Sequence, residues 1–170
     1  MDLEKIIRDV PDFPKKGILF KDITTLLKNK EAFRYTVDLM IEKYHNQKID
    51  KIVGIESRGF IFGGAAAYLL GCGFAPARKV GKLPAGKISE SYTLEYGSNT
   101  LELHDDAIEP GEHVMIIDDL LATGGTAAAV AKMVEQLKGN VVGIEFLIEL
   151  EFLNGREKLK DYPVYSYIKY

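Results

Sequence analysis

Val114-Met115-Ile116-Ile117-Asp118-Asp119-Leu120-Leu121-Ala122-Thr123-Gly124-Gly125-Thr126 decides how this chain reads. Four apolar residues without polar alternation suit a parallel strand covered on both faces by helices. Asp118 and Asp119 follow at its carboxyl end, where open α/β sheets collect ligands. Residues 122–126 then offer small side chains, two glycines and two hydroxyls ahead of an alanine-rich stretch whose apolar positions Val130, Met133, Val134 and Leu137 have helical spacing. Free amides at a helix start, with the positive end of its dipole, bind phosphate, and glycine lets the backbone approach it closely. Thr123 and Thr126 can add hydroxyl donors. Thr-Gly-Gly-Thr alone reads as readily as a βα turn with a threonine N-cap, but the acid pair shifts the balance. Adjacent carboxylates repel unless they hold hydroxyls or a cation, and a ribose diol supplies what they need. A P-loop would require Gly-Lys-Ser/Thr, and the first lysine after the loop is Lys132.

The rest of the composition sets bounds. A chain of 170 residues with 46% hydrophobic and 28% charged content suits one domain with a sizeable core. A net charge of −3 offers no general attraction to nucleic acid or anionic membrane, so an anion must be held by local cations and amides. No segment is long and apolar enough to span a bilayer, and the start Met1-Asp2-Leu3-Glu4-Lys5 lacks a signal pattern, which predicts a cytoplasmic protein. The single cysteine, Cys72, reads as a small filler with no chemistry. His45, His104 and His113 lack ligand-like spacing and read as structural.

Along the chain, residues 2–10 predict a short helix ending before Pro11. Phe33, Val37, Met40, Ile41 and Tyr44 mark a longer one. Residues 52–55 read as a buried strand, 61–70 as a small-residue helix and 73–77 as another strand. Residues 92–96 and 100–104 alternate about Gly97-Ser98-Asn99, which predicts a hairpin. After the strand and helix of the decisive stretch come an apolar strand near 141–150 and an edge strand at 164–168. This order predicts an α/β fold, a doubly wound and mainly parallel sheet flanked by helices, with one inserted hairpin.

The decisive stretch resembles the ribose-5-phosphate motif of the type I phosphoribosyltransferases. The similarity extends over nearly the whole chain, through Phe13-Pro14-Lys15-Lys16-Gly17-Ile18-Leu19-Phe20-Lys21-Asp22-Ile23, Gly54-Ile55-Glu56-Ser57-Arg58-Gly59-Phe60, Arg78-Lys79-Val80-Gly81-Lys82-Leu83-Pro84 and Ser91-Tyr92-Thr93-Leu94-Glu95-Tyr96-Gly97. These segments are similar to the branch that acts on adenine. The resemblance implies a single domain over 1–170, with a base-binding N-terminal hood at about residues 1–25 and a mobile lid and hairpin at about 78–103. It also implies a homodimer, and a reaction of adenine with 5-phosphoribosyl-1-pyrophosphate in the presence of Mg2+ that yields AMP and pyrophosphate.

Roles for further residues follow. Ser57 and Arg58 stand at the end of an earlier strand, where a forked arginine contact suits pyrophosphate; the resemblance implies a cis peptide between Glu56 and Ser57. Residues 78–91 show neither helical nor strand period and carry Arg78, Lys79, Lys82 and Lys87, reading as a lid that sets cations on the departing pyrophosphate and excludes water. The mild polarity of Ala85-Gly86-Lys87-Ile88-Ser89-Glu90 departs from the family pattern and leaves contacts from Lys87 open. By resemblance alone, Glu95 is the acid/base at purine N7, Tyr96 packs on the reacting sugar, and Leu19, Phe20 and Lys21 recognise the base. In that recognition Phe20 stacks, and the Lys21 main chain pairs with N1 and the amino group. A backbone carbonyl that accepts from adenine's amino group would oppose the oxo group of hypoxanthine or guanine. Mg2+ would ride on pyrophosphate and ribose oxygens, with no direct protein ligand assigned. Two alternatives remain: transfer to xanthine or another oxopurine, and a non-catalytic ligand-sensing regulator with this fold. The regulator is disfavoured because about a dozen residues before Phe13 are too few for a helix-turn-helix.

Overall fold

A computed structural model describes residues 1–93 and 98–170. They divide into two compact units, Met1–Leu39 and Met40–Tyr170. The first unit contains a two-stranded antiparallel sheet, β1 (Arg8–Pro11) with β2 (Leu19–Asp22), then a single turn α1 (Thr24–Leu27) and most of α2 (Lys30–Ile41).

In the second unit, β3 (Lys51–Ile55), α3 (Gly59–Leu70) and β4 (Gly73–Lys79) form one crossover, and β7 (His113–Leu121), α4 (Gly125–Gln136) and β8 (Asn140–Glu149) form another. Between them stand β5 (Lys87–Thr93) and β6 (Ser98–His104), and β9 (Val164–Lys169) closes the chain. The seven strands lie in the order β5-β6-β4-β3-β7-β8-β9. From β4 to β9 all neighbours pair in parallel, while β6 joins β4, and β5 joins β6, antiparallel.

Period-two alternation along the central strands assigns the two faces. Val53, Ile55, Val114, Ile116, Ile144 and Phe146 form one buried cluster with Val130, Met133 and Val134 of α4. On the opposite face a Cβ placed on Gly63 of α3 would stand 3.5 Å from both Gly54 and Ile52. Both faces of the centre are thus covered, which is why residues 114–117 show no polar alternation and are all 0% exposed. The first crossover runs from β3 outward to β4, the second from β7 outward to β8 in the opposite direction. The order therefore reverses between β3 and β7, and their carboxyl ends open into the crevice where such sheets hold ligands.

Several sequence expectations are corrected. Residues 2–10 form only a 3-10 turn, Glu4–Ile6, followed by β1, because residues 8–11 gain a ladder with residues 19–22 that local pattern does not reveal. Within the lid segment, Arg78 and Lys79 end β4 and a regular strand begins at Lys87, paired through to His104. Its alternating exposed and half-buried residues do have period two, hidden by their polarity. Ser98 and Asn99 lie in β6, opposite Thr93 and Tyr92, rather than in the hairpin turn. Asp118 and Asp119 belong to β7, which extends to Leu121.

α3 meets β7 most closely at Gly59, where an added Cβ would lie 2.7 Å from the Ile117 carbonyl oxygen and 3.1 Å from Asp118 Cα. Backbone on both sides cannot yield, so Gly59→Ala should lower stability by about 1–3 kcal/mol. Urea unfolding measures this, and an unchanged midpoint would contradict so close a packing.

Candidate active site

Two cavities that share Asp118, Leu120, Ala122 and Thr126 occupy the crevice between β3 and β7. The larger, about 420 Å³, is walled by Glu56, Ser57 and Arg58 beyond β3, Lys79 at the end of β4, and the acid pair of β7. Tyr92, Asn99 and Leu101 of the hairpin complete it. The smaller, about 220 Å³, is lined by Leu121, Thr123, Gly124, Ala127 and Phe146 besides the shared residues. The structure thus gathers Ser57, Arg58, Lys79, both aspartates and the residue 122–126 loop around one opening.

The acid pair is the electrostatic centre of this site. Asp119 is 5% exposed and Asp118 only partly open to the cavity, and the Asp119 N–H donates to Asp118 Oδ1 at 2.8 Å. Burial, and then the Asp119 charge, push the Asp118 carboxyl well above its ordinary value. Burial raises Asp119 too, against the pull of Arg58, whose Nε lies 2.9 Å from Asp119 Oδ2. Two carboxylates buried side by side gain from any group that donates hydrogen bonds to them, a vicinal diol among them. The guanidinium expected to face pyrophosphate is also the counter-charge of the pair.

Six residues beyond Asp118, Gly124 takes φ +76°, the left-handed region open to glycine, and α4 starts at Gly125. Among the described residues no side chain caps this helix, so the threonine N-cap alternative is not realised. Gly124, Thr126 and Ala127 of its start line the smaller cavity, where a helix N-terminus offers free amides and the positive end of its dipole.

Glu56 organises the cation side. It accepts the Lys79 N–H at 2.9 Å and pairs with Arg78 at 3.3 Å. Burial alone would raise its carboxyl, but these two partners hold it below the ordinary value. Arg78 is thereby turned onto Glu56, with Nη1 donating to the Lys82 carbonyl at 3.4 Å. Lys82 is exposed and lines neither cavity. The Glu56-Ser57 peptide is cis, as the resemblance implied. Glu56, Tyr92, Asn99 and Leu101 have no role assigned by the sequence alone, yet all four line this cavity. The alternation of the hairpin was the signal for its inward side chains.

Leu19, Phe20 and Lys21 lie on β2 in the first unit, where Lys21 Nζ meets Asp9 at 2.7 Å and Phe20 packs edge-on against Phe13 at 5.1 Å. Glu95 and Tyr96 fall outside the described residues.

With this geometry in view, comparison with known proteins is specific. Residues 22–170 match the phosphoribosyl transferase domain. The adenine phosphoribosyltransferase of Brachyspira hyodysenteriae is 61% identical over 170 residues, covering 100% of both chains. The crystal structure of adenine phosphoribosyltransferase from Thermoanaerobacter pseudethanolicus superposes with a TM-score of 0.96 at 53% identity, covering 99% of this chain and 98% of that one. The Saccharomyces cerevisiae enzyme, complexed with D-2,5-dideoxy-2,5-imino-altritol 1,6-bisphosphate and adenine, gives 0.91 at 44% identity over 97% and 96% of the two chains. A match to the domain along most of the sequence, and relatives of one name along all of it, leave a single assignment: the chain belongs to the phosphoribosyltransferase family, among its adenine phosphoribosyltransferases.

Proposed function

We propose that the crevice between β3 and β7 transfers the 5-phosphoribosyl group of 5-phosphoribosyl-1-pyrophosphate to N9 of adenine, the purine-salvage reaction that yields AMP and pyrophosphate. The observation that carries this is the juxtaposition of a buried acid pair with the uncapped amides of α4, one suited to a diol and the other to a phosphate. The distance along the chain from Asp118 to Thr126 is short enough for both ends of one sugar phosphate to be held by a single strand, loop and helix start.

In this reading Asp118 and Asp119 hold the ribose 2- and 3-hydroxyls, and residues 122–126 hold the 5-phosphate. With both ends fixed, C1 is presented while the N9–C1 bond forms and the C1–O bond to pyrophosphate breaks through an oxocarbenium-like state. Ser57 and Arg58 face the departing pyrophosphate, joined by Lys79 and, with the segment after β4 drawn in, by Arg78 and Lys82. Arg58 then has two tasks, for it must also balance Asp119. Glu95 adjusts the proton at purine N7 and Tyr96 packs on the sugar. Leu19, Phe20 and Lys21 recognise adenine, with the Lys21 main chain opposing a 6-oxo group.

Magnesium fits the donor chemistry in a limited way. Among the described residues no cluster of three metal-ligating side chains exists, and Glu56 is already engaged by Arg78 and Lys79. Mg2+ takes one or two carboxylates at most and prefers substrate phosphates, so pyrophosphate and ribose oxygens would hold it. When bound it would neutralise charge on the leaving pyrophosphate. No helix of the described residues is long and apolar enough to cross a membrane. A cytoplasmic location and a homodimer belong to the same proposal. Ile61, Tyr68 and Leu69 form an exposed apolar stripe on α3, suited to a second copy, and light scattering reads the assembly directly.

Labelled adenine, phosphoribosyl pyrophosphate and Mg2+ should give AMP, with hypoxanthine, guanine and xanthine largely unused; comparable use of an oxopurine would contradict the base assignment. The acid pair makes a two-sided prediction. Asp118 has a folded-state value above its unfolded one near 3.8, so folding takes up a proton. Its stabilising contribution is complete below that value and is lost as pH rises through the folded one. Asp118→Asn should therefore raise the melting temperature of the ligand-free protein at neutral pH while cutting kcat/KM for phosphoribosyl pyrophosphate by about a hundredfold. A less stable variant with normal kcat/KM would refute both parts. Glu95→Gln should lower kcat by about a hundredfold with little change in KM for phosphoribosyl pyrophosphate, and unchanged turnover would remove its proton role.

A further inference from the structure

Behind the residue 122–126 loop lies a second stretch of bare backbone. Gly155 opens a short 3-10 turn, Gly155–Leu159, and its carbonyl oxygen fills the space that a Cβ on Gly124 would need. The reverse also holds. A Cβ on Gly155 would collide with the Ala122 carbonyl oxygen, and would come within 2.9 Å of Leu121 Cδ1 and 3.0 Å of the Gly124 nitrogen. Two glycines thus touch main chain to main chain directly behind the loop, and on each side the atom nearest an added methyl is a backbone carbonyl oxygen that cannot swing away.

The turn bearing Gly155 is itself held firmly. Arg156 forks onto Glu149, Nε to Oε1 at 2.8 Å and Nη2 to Oε2 at 2.8 Å. The same guanidinium donates to the Val164 carbonyl at 2.9 Å and to Ser166 Oγ at 3.0 Å. Leu159, at the far end of the turn, is 1% exposed in the core cluster. Glu149 is the last residue of β8 and stands opposite Leu121, the last residue of β7 before the loop. The contacts therefore run from the ends of β8 and β9, through Arg156, into Gly155 and onto the back of the loop. Planar bidentate pairing of this kind fixes direction as well as distance.

We propose that Gly155, clamped by Arg156 on Glu149, is a positioning residue that holds residues 122–124 in the shape that receives the substrate's 5-phosphate. The proposal rests on the assignment of that loop to the phosphate. A loop of small residues has little side-chain packing of its own, so amides aimed at an anion need a wall behind them. A rigid wall removes the ordering that the ligand would otherwise have to impose. Gly155 touches no substrate, and its effect passes through the loop.

Three variants test this. Each is checked by circular dichroism, by calorimetric titration with ribose 5-phosphate, and by steady-state kinetics in phosphoribosyl pyrophosphate. Gly155→Ala should raise both the Kd for ribose 5-phosphate and the KM for phosphoribosyl pyrophosphate about tenfold or more, with kcat at saturation altered less than about threefold. Arg156→Lys keeps the charge but loses the fork, and should move both constants in the same direction by a smaller factor. If Gly155→Ala does not fold, Arg156→Lys decides. Thr126→Val, in the loop itself, should weaken ribose 5-phosphate binding. If it does, while folded Gly155→Ala (or Arg156→Lys in its place) leaves the affinity unchanged, the positioning role is overturned and the phosphate assignment stands. If Thr126→Val leaves the affinity unchanged, the phosphate assignment falls and the positioning role falls with it.

Discussion

Two carboxylates that cannot comfortably share their place are the constraint around which this molecule is built. Asp118 and Asp119 lie near the carboxyl end of a strand whose preceding four residues are fully buried, so the pair is carried into a low-dielectric crevice. Burial raises both carboxyls and the Asp119 charge raises Asp118 further, while Arg58 offsets only part of this. The ligand-free protein therefore carries a local electrostatic load that hydroxyl donors relieve. Binding energy from a diol is in this sense already provided for by the fold.

The rest of the architecture places this load where it can be used. Crossovers that leave β3 and β7 in opposite directions put the Glu56-Ser57-Arg58 segment and the acid pair on facing walls. Gly59 lets α3 start directly against β7, bringing Arg58 within reach of Asp119. On the other side, α4 begins without a side-chain cap after Gly124 in its left-handed conformation, and the residues of its start line the smaller cavity. Glu56 gathers Arg78 and the Lys79 main chain beside the same opening. The chain's net charge of −3 does not decide what this crevice attracts, since Arg58 and Lys79 line it and charges beyond a Debye length are screened.

Much of this was legible in sequence, for a definite reason. Residues 114–126 combine a continuous apolar run, acids and a glycine loop in chain order, so strand, site and helix start are all local there. The central strands and α3 were equally plain because burial on both faces leaves uninterrupted apolar runs. Legibility failed where structure depends on distant partners. β1 forms only through its ladder with β2, and β5 is a polar strand whose pairing with β6 outweighs its composition. The opposition of Gly155 and Gly124, thirty-one residues apart in sequence, is a tertiary contact that no periodicity announces. In sequence Arg78 and Arg58 are simply cations suited to a ligand, and the acids that hold them, Glu56 and Asp119, meet them only in the fold.

The central claim is that the acid pair and the amide-lined loop after it hold two parts of one sugar phosphate. A crystal structure of the protein with phosphoribosyl pyrophosphate and Mg2+ tests it most directly. The account predicts the ribose hydroxyls on Asp118 and Asp119 and the 5-phosphate against residues 123–126. The same compound bound in another cleft, or bound here with its phosphate turned away from that loop, would contradict it.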